Sequence, residues 1–131
     1  MNENAKKWVA ALRSGEFQQA KGKLCWDGKF CCLGVACEIY RRETGEGQWV
    51  WAHGSGWLKF QDGDAGSSNT LTRSVADWLG ISQPGGCDWQ SGEYEYLKGK
   101  RTTLMEKNDS GVPFSEIADI IESEPKGLFA N

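Results

Sequence analysis

Apolar positions along the chain recur at helical spacing in four stretches, and shorter apolar runs punctuated by turn residues lie between them. "NENAKKWVAALRSG" sets Ala5, Trp8, Val9 and Leu12 on one helical face, with Asn2 or Asn4 as cap and Ser14-Gly15 as stop. "CCLGVACEIYRR" repeats the pattern at Cys32, Val35, Ala36 and Ile39, the i, i+3, i+4, i+7 set of a buried stripe. Gly34 within it costs about 1 kcal/mol against alanine, which a close backbone approach by another element would justify. "TLTRSVADWLGI" predicts a third helix capped by Thr70, with Leu71, Val75, Trp78 and Leu79 as its stripe and Gly80 as its end. "VPFSEIADIIESE" predicts the last, with Pro113 in its first turn and Phe114, Ile117, Ala118 and Ile121 on one face.

Between the helices, "EFQQAKGKLCWDGKF" reads as a hairpin turning at Asp27-Gly28. "QWVWAH" and "WLKF" flank "GSG" as a second hairpin, and "QDGDAGSSN" reads as a flexible loop. "SQPGGCDWQSG" is a further loop. "EYEYLKGKRTTLMEK" is a third hairpin, with Tyr94 and Tyr96 on one side, and "NDSG" turns the chain into the last helix. The expected architecture is a single α+β domain over residues 1–131: about four helices packed on short antiparallel strands and hairpins, with a Gly/Trp-rich insertion at about 43–70. No internal repeat or domain boundary is evident.

Composition narrows the function. At 131 residues the chain can bury a sizeable core, and 25% charged against 39% hydrophobic residues argues against disorder. A net charge of −3 removes the electrostatic case for binding duplex nucleic acid. The N-terminus carries charges where a signal peptide needs an apolar run, and no stretch approaches the ~20 apolar residues of a membrane span. A cytoplasmic protein with reduced thiols is the expectation.

Five cysteines, an odd number, fit poorly with a closed disulfide framework. Cys25, Cys31, Cys32, Cys37 and Cys87 lack the paired spacing of a zinc site, and adjacent Cys31 and Cys32 point about 100° apart on a helix. A nucleophilic reading places Cys31 or Cys32 at a helix N-terminus, where a thiol pKa falls, with His53 as the base. The preferred reading is packing: free cysteine is small, soft and usually buried. Neither a metal nor a cofactor is expected. Among the acids, Asp62 and Asp64 sit in the loop read as flexible, and Glu93 with Glu95 and Asp119 with Glu122 and Glu124 read as solvated faces. "DGDAGSSN" is no calcium loop, because Arg73 stands where the bidentate glutamate belongs.

Seven tryptophans are the clearest signal. Trp8 and Trp78 fall on helical stripes and read as core. Trp26 adjoins a turn, and Trp49, Trp51 and Trp57 lie in a Gly-rich polar segment, Trp49 and Trp51 on one strand face. An indole with an apolar body and a wet edge suits an interface, a sugar or a stacked base; a small satellite hydrophobic cluster is the plainer alternative.

"WVAALRSGEFQQAKGKL…KFCCLGVACEIY", joined to "VADWLGI" and "LMEKNDSGVPFSEIADIIE", resembles a widespread group of small phage and prophage proteins. The resemblance covers the first 40 residues and the last 30; residues 43–68 have no counterpart, and the group usually carries serine or threonine at the place of Pro113. It implies a phage-encoded accessory protein and carries no established catalytic residues. By analogy of lifestyle, such a protein would bind and sequester a small nucleotide-derived signalling ligand of host defence, without cleaving it, as a homo-oligomer in the host cytoplasm. The residues expected to hold it are Gln19, Lys21, Trp26, Trp49, Trp51, Trp57, Arg101, Thr102, Asn108 and Asp109. The free N–H groups at the helix start near Cys31 would meet a phosphate. The alternatives are an inhibitor that engages a host protein through the Trp-rich surface, and a small hydrolase using Cys32 or Asp109.

Overall fold

The computed structural model describes residues 1–52, 56–82 and 88–130. The first helix, α1 (Glu3–Arg13), starts where the Asn2 side chain accepts from the Ala5 amide at 2.8 Å, and it buries Ala5, Trp8, Val9 and Leu12. A two-residue turn follows further on, Asp27 and Gly28 both at positive φ (54° and 73°), the conformation of a type I′ hairpin. It joins β1 (Cys25–Trp26) to β2 (Lys29–Phe30). Only this short piece of the expected hairpin pairs internally; residues 18–20 instead run parallel beside β2, Phe30 exchanging backbone hydrogen bonds with Gln18 and Ala20.

Helix α2 (Cys32–Thr44) is the centre of the molecule, touching α1 and β2 as well as two later helices, α3 (Arg73–Leu79) and α4 (Leu104–Asp109). Its burial exceeds a single stripe: residues 32–38 and Tyr40 are all buried, and Ile39 only in part. Gly34 has the reason its position demanded, since a Cβ there would stand 1.9 Å from the Leu24 carbonyl oxygen.

The segment 43–70 forms most of the larger sheet. Strands β3 (Gln48–Trp51), β4 (Trp57–Asp62) and β5 (Ala65–Ser67) are antiparallel neighbours, and the order runs β2-β1-β4-β3. β3 holds one edge of β4; β1 and then β5 share the other. The stretch expected to be a flexible loop is therefore a tight hairpin. Asp62 closes β4 and accepts hydrogen bonds from Tyr40 Oη (2.7 Å) and Ser74 Oγ (2.5 Å), tying the sheet to α2 and α3. Thr70 does not cap α3: Thr72 occupies that position, and the Thr70 hydroxyl pairs with Ser67 Oγ.

A second sheet pairs β6 (Glu93–Leu97) with β7 (Lys100–Thr103). A bulge between Glu95 and Leu97 breaks the alternation, so Tyr94 is buried and Tyr96 exposed rather than both on one side. "LMEKND", expected as the end of the hairpin and the turn after it, is α4, capped by Thr103 Oγ1 on the Glu106 amide. Pro113 is the cap residue of α5 (Phe114–Glu122), whose buried Phe114, Ile117, Ala118 and Ile121 match the expected face. Among the described residues there are five α-helices and two antiparallel sheets around one hydrophobic cluster, a single α+β domain. No helix among them is long and apolar enough to cross a membrane.

Candidate functional site

The Asp27-Gly28 turn sets Lys29 directly opposite Trp26, and β4 sets Trp57 opposite Trp26 on its other side. Directly opposed residues share a face, so Lys29, Trp26 and Trp57 form one row across the outer surface of the sheet. Lys23 lies over the Trp57 ring, its ammonium 4.2 Å from the centroid, a cation–π contact that stabilises both. Trp26 is left half exposed, at 50%.

Two clefts meet at Trp26. One, of about 340 Å³, is lined by Gln19, Ala20, Lys21, Trp26, Asp27 and Lys29. The other, of about 520 Å³, lies at the end of the sheet, where Trp26 and Asp27 face Trp51, Gly56 and Leu58. Both are in the size range of small-molecule sites. Lys21 and Lys29 enter no ion pair among the described residues, and Asp27 is the one described carboxylate lining either cleft.

A polar clamp shapes the wall at residues 19–22. Asn108 is fully buried; its Oδ1 accepts from Gln19 Nε2 (2.9 Å) and from the Cys32 amide (3.0 Å), while its Nδ2 donates to the Ala20 carbonyl (2.7 Å) and to Asp109 Oδ1 (3.2 Å). Gln19 Nε2 also donates to the Val112 carbonyl, and Asp109 Oδ1 accepts from the Gly22 amide. These residues thus have a structural task that their sequence context did not reveal. Gln19 still borders the cleft; Asn108 is sealed beneath it and is no ligand contact in this structure.

The start of α2 does not serve as a phosphate site. Cys31 to Gly34 are buried, Asn108 occupies the Cys32 amide, and Cys31 Sγ accepts from the Gly34 amide at 3.4 Å. Cys31 is itself the N-cap. Burial pushes its thiol up to about 11 and holds Cys32 and Cys37 well above the ordinary range, the opposite of the activation a helix start could bring. Cys25, which also borders the larger cleft, is raised too, by burial and then by the Glu38 charge. Cys25, Cys31, Cys32 and Cys37 are free thiols packed in the interior; Cys87 and His53 lie outside the described residues.

The remaining expected contacts divide. Trp49 turns inward, edge-on to Phe30 and Phe60, its Nε1 donating to Glu38 Oε1 at 3.0 Å, so it is not an outward-facing ring. Trp51 is 74% exposed. Arg101 and Thr102 lie on β7: Arg101 Nε pairs with Glu93 at 2.5 Å, and buried Thr102 donates to Glu106 at 3.1 Å. Neither borders a Trp26 cleft. Lys29 was missed, although the Asp-Gly turn places the residue after Gly28 across from the one before Asp27, so the pairing with Trp26 was available in the sequence. A family model described as "Domain of unknown function (DUF8296)" matches residues 1–125. No curated protein and no solved structure matches the chain.

Proposed function

For this chain, which belongs to the DUF8296 family, we propose a non-enzymatic receptor that holds a small nucleotide-derived ligand against Trp26. In this reading a phage-encoded accessory protein, acting as a homo-oligomer in the host cytoplasm, sequesters a signalling molecule of host defence. The observation that carries it is the half-exposed Trp26 ring forming the common wall of two clefts, with Lys21 and Lys29 beside it and without ion-pair partners among the described residues. An indole offers a plane for a base, and the two ammonium groups suit its phosphates.

Calorimetry with cyclic nucleotides and ADP-ribose derivatives tests the reading. At least one of them binds the wild-type chain and is recovered intact. Stacking on an aromatic ring is worth ~1–3 kcal/mol per base, so Trp26→Ala weakens that ligand by about 5- to 150-fold with an unchanged circular dichroism spectrum. Silence across the panel, or full affinity in the variant, overturns it. A second reading, inhibition of a host protein, draws on the exposure of Trp51 and Trp26, which suits a hot spot. Native mass spectrometry of protein purified from host cells separates the two, because one retains a small molecule and the other a polypeptide.

A further inference from the structure

β3 is the terminal strand of the larger sheet, and its pairing with β4 fixes which of its backbone groups are spent. The Ala52 amide donates to the Trp57 carbonyl at 3.1 Å. The register is regular from Gln48↔Gln61 to Trp51↔Leu58, and hydrogen-bonded pairs alternate along an antiparallel ladder. Val50 and Gln48 therefore direct their N–H and C=O groups at β4. Trp49 and Trp51 direct theirs outward, where no described backbone or side chain receives them.

Apart from its four-residue length, this edge lacks the devices that keep strands apart. Gln48–Trp51 contains no charge, no proline and no bulge, and it is built from residues that favour extended pairing. Trp51 stands 74% exposed at its end. A chain of net charge −3 would repel its copy through any acidic seam; here the seam is neutral.

We propose that β3 pairs antiparallel with β3 of a second copy about a two-fold axis at Val50, joining the two larger sheets into one. In this register the outward groups of Trp49 meet those of Trp51 in the partner, and the reverse, so four hydrogen bonds form between groups left open in the single chain. Val50 faces Val50 of the partner subunit across a non-hydrogen-bonded position, where Cα atoms approach to about 4.5 Å. Trp51 comes to lie beside Trp49 of the partner subunit on the face that carries Phe60. Because Trp51 also borders the larger Trp26 cleft, the second copy closes one side of it. The inference specifies the homo-oligomer within the proposed function and rests on no ligand.

The test uses the full chain without ligand. Multi-angle light scattering gives a dimer for the wild type and a monomer for Trp51→Lys, with matching circular dichroism spectra. Val50→Cys, oxidised, runs as a covalent dimer, since that Cα separation lies within disulfide range. Gln48→Cys, which would face Ala52 of the partner subunit, and the wild type do not. A monomeric wild type overturns the inference together with the homo-oligomer. A dimer in which Val50→Cys fails to cross-link, or crosslinks no better than Gln48→Cys, overturns this interface alone. Either result leaves ligand binding at Trp26 to be judged by calorimetry.

Discussion

At the scale of single residues, Gly34 and Asn108 show backbone and amide chemistry deciding where the clefts lie. Alanine at Gly34 gains about 1 kcal/mol of helix propensity, but its methyl would stand 1.9 Å from the Leu24 carbonyl oxygen, a backbone atom in a segment held between β1 and α2. Overpacking costs about 1–3 kcal/mol, occasionally more; a 1.9 Å approach to a backbone atom belongs at the upper end of that range, so the clash wins. We expect Gly34→Ala to lose at least about 1 kcal/mol in urea titration; a variant as stable as the wild type would refute the contact. Asn108→Ala is expected to lose about 3 kcal/mol, because the Cys32 amide and the Ala20 carbonyl are both left without their partner in the interior. The same variant should loosen residues 19–22, read as faster amide exchange at Gly22, whose N–H bonds Asp109.

At the scale of elements, α2 carries a buried acid that its helical pattern did not advertise. Glu38 is 6% exposed and receives both prongs of Arg41, the Nε of Arg42 and the indole N–H of Trp49. Desolvation alone would raise its pKa, but the hydrogen bonds from Arg41, Trp49 and Arg42 together outweigh burial and hold it at about 2. With a folded value below the usual 4.5, the stability it contributes is complete above about pH 5 and is lost as pH falls toward 2. The shift corresponds to about 3 kcal/mol. The stability gap between wild type and Glu38→Gln should therefore close by about that amount between pH 5 and pH 2, measured by urea unfolding at each pH. A gap independent of pH would mean the carboxylate is not tied as described. What the sequence conveyed at this scale follows the same physics. α1 and α5 were legible because their apolar stripes are clean, and α1 has a polar cap. α2 was legible as a helix, but not as one buried on nearly every side, since its small residues and a shielded Glu38 look half polar. α4 was missed because six residues hold too little of a period, and β7 runs straight into them. Trp49 and Trp51 share a strand face as their spacing requires, yet one is covered by α2 and the other is not, and strand spacing cannot distinguish them. The Trp26 cleft was partly visible through Gln19, Lys21 and Trp26, whereas Arg101 and Thr102 belong to the other sheet, a partition that depends on tertiary folding.

At the scale of the whole molecule, the two sheets share one interior. Tyr94 from β6, Leu104 at the start of α4 and Leu128 near the end of the described chain lie in the same hydrophobic cluster as Leu33, Val35 and Phe60. A chain of edge-on aromatic contacts runs from Phe17 through Phe30, Trp49 and Phe60 to Tyr40 and Trp78, linking the sheet to α2 and α3. The Leu104 amide, bonded to the Gly92 carbonyl at 2.9 Å, extends the ladder of the smaller sheet, and the Leu104 side chain seats that sheet in this interior. With no separate core to hold it, that sheet has no basis for opening on its own while α2 stays folded. Native-state hydrogen exchange should then give the Leu104 amide the same opening free energy as Val35 in α2, both equal to that of global unfolding. Measured side by side in one sample, the comparison is insensitive to oligomeric state. An opening energy at Leu104 several kcal/mol below that at Val35 would divide the molecule into two cooperative units and would detach the smaller sheet from the scaffold that holds the Trp26 clefts.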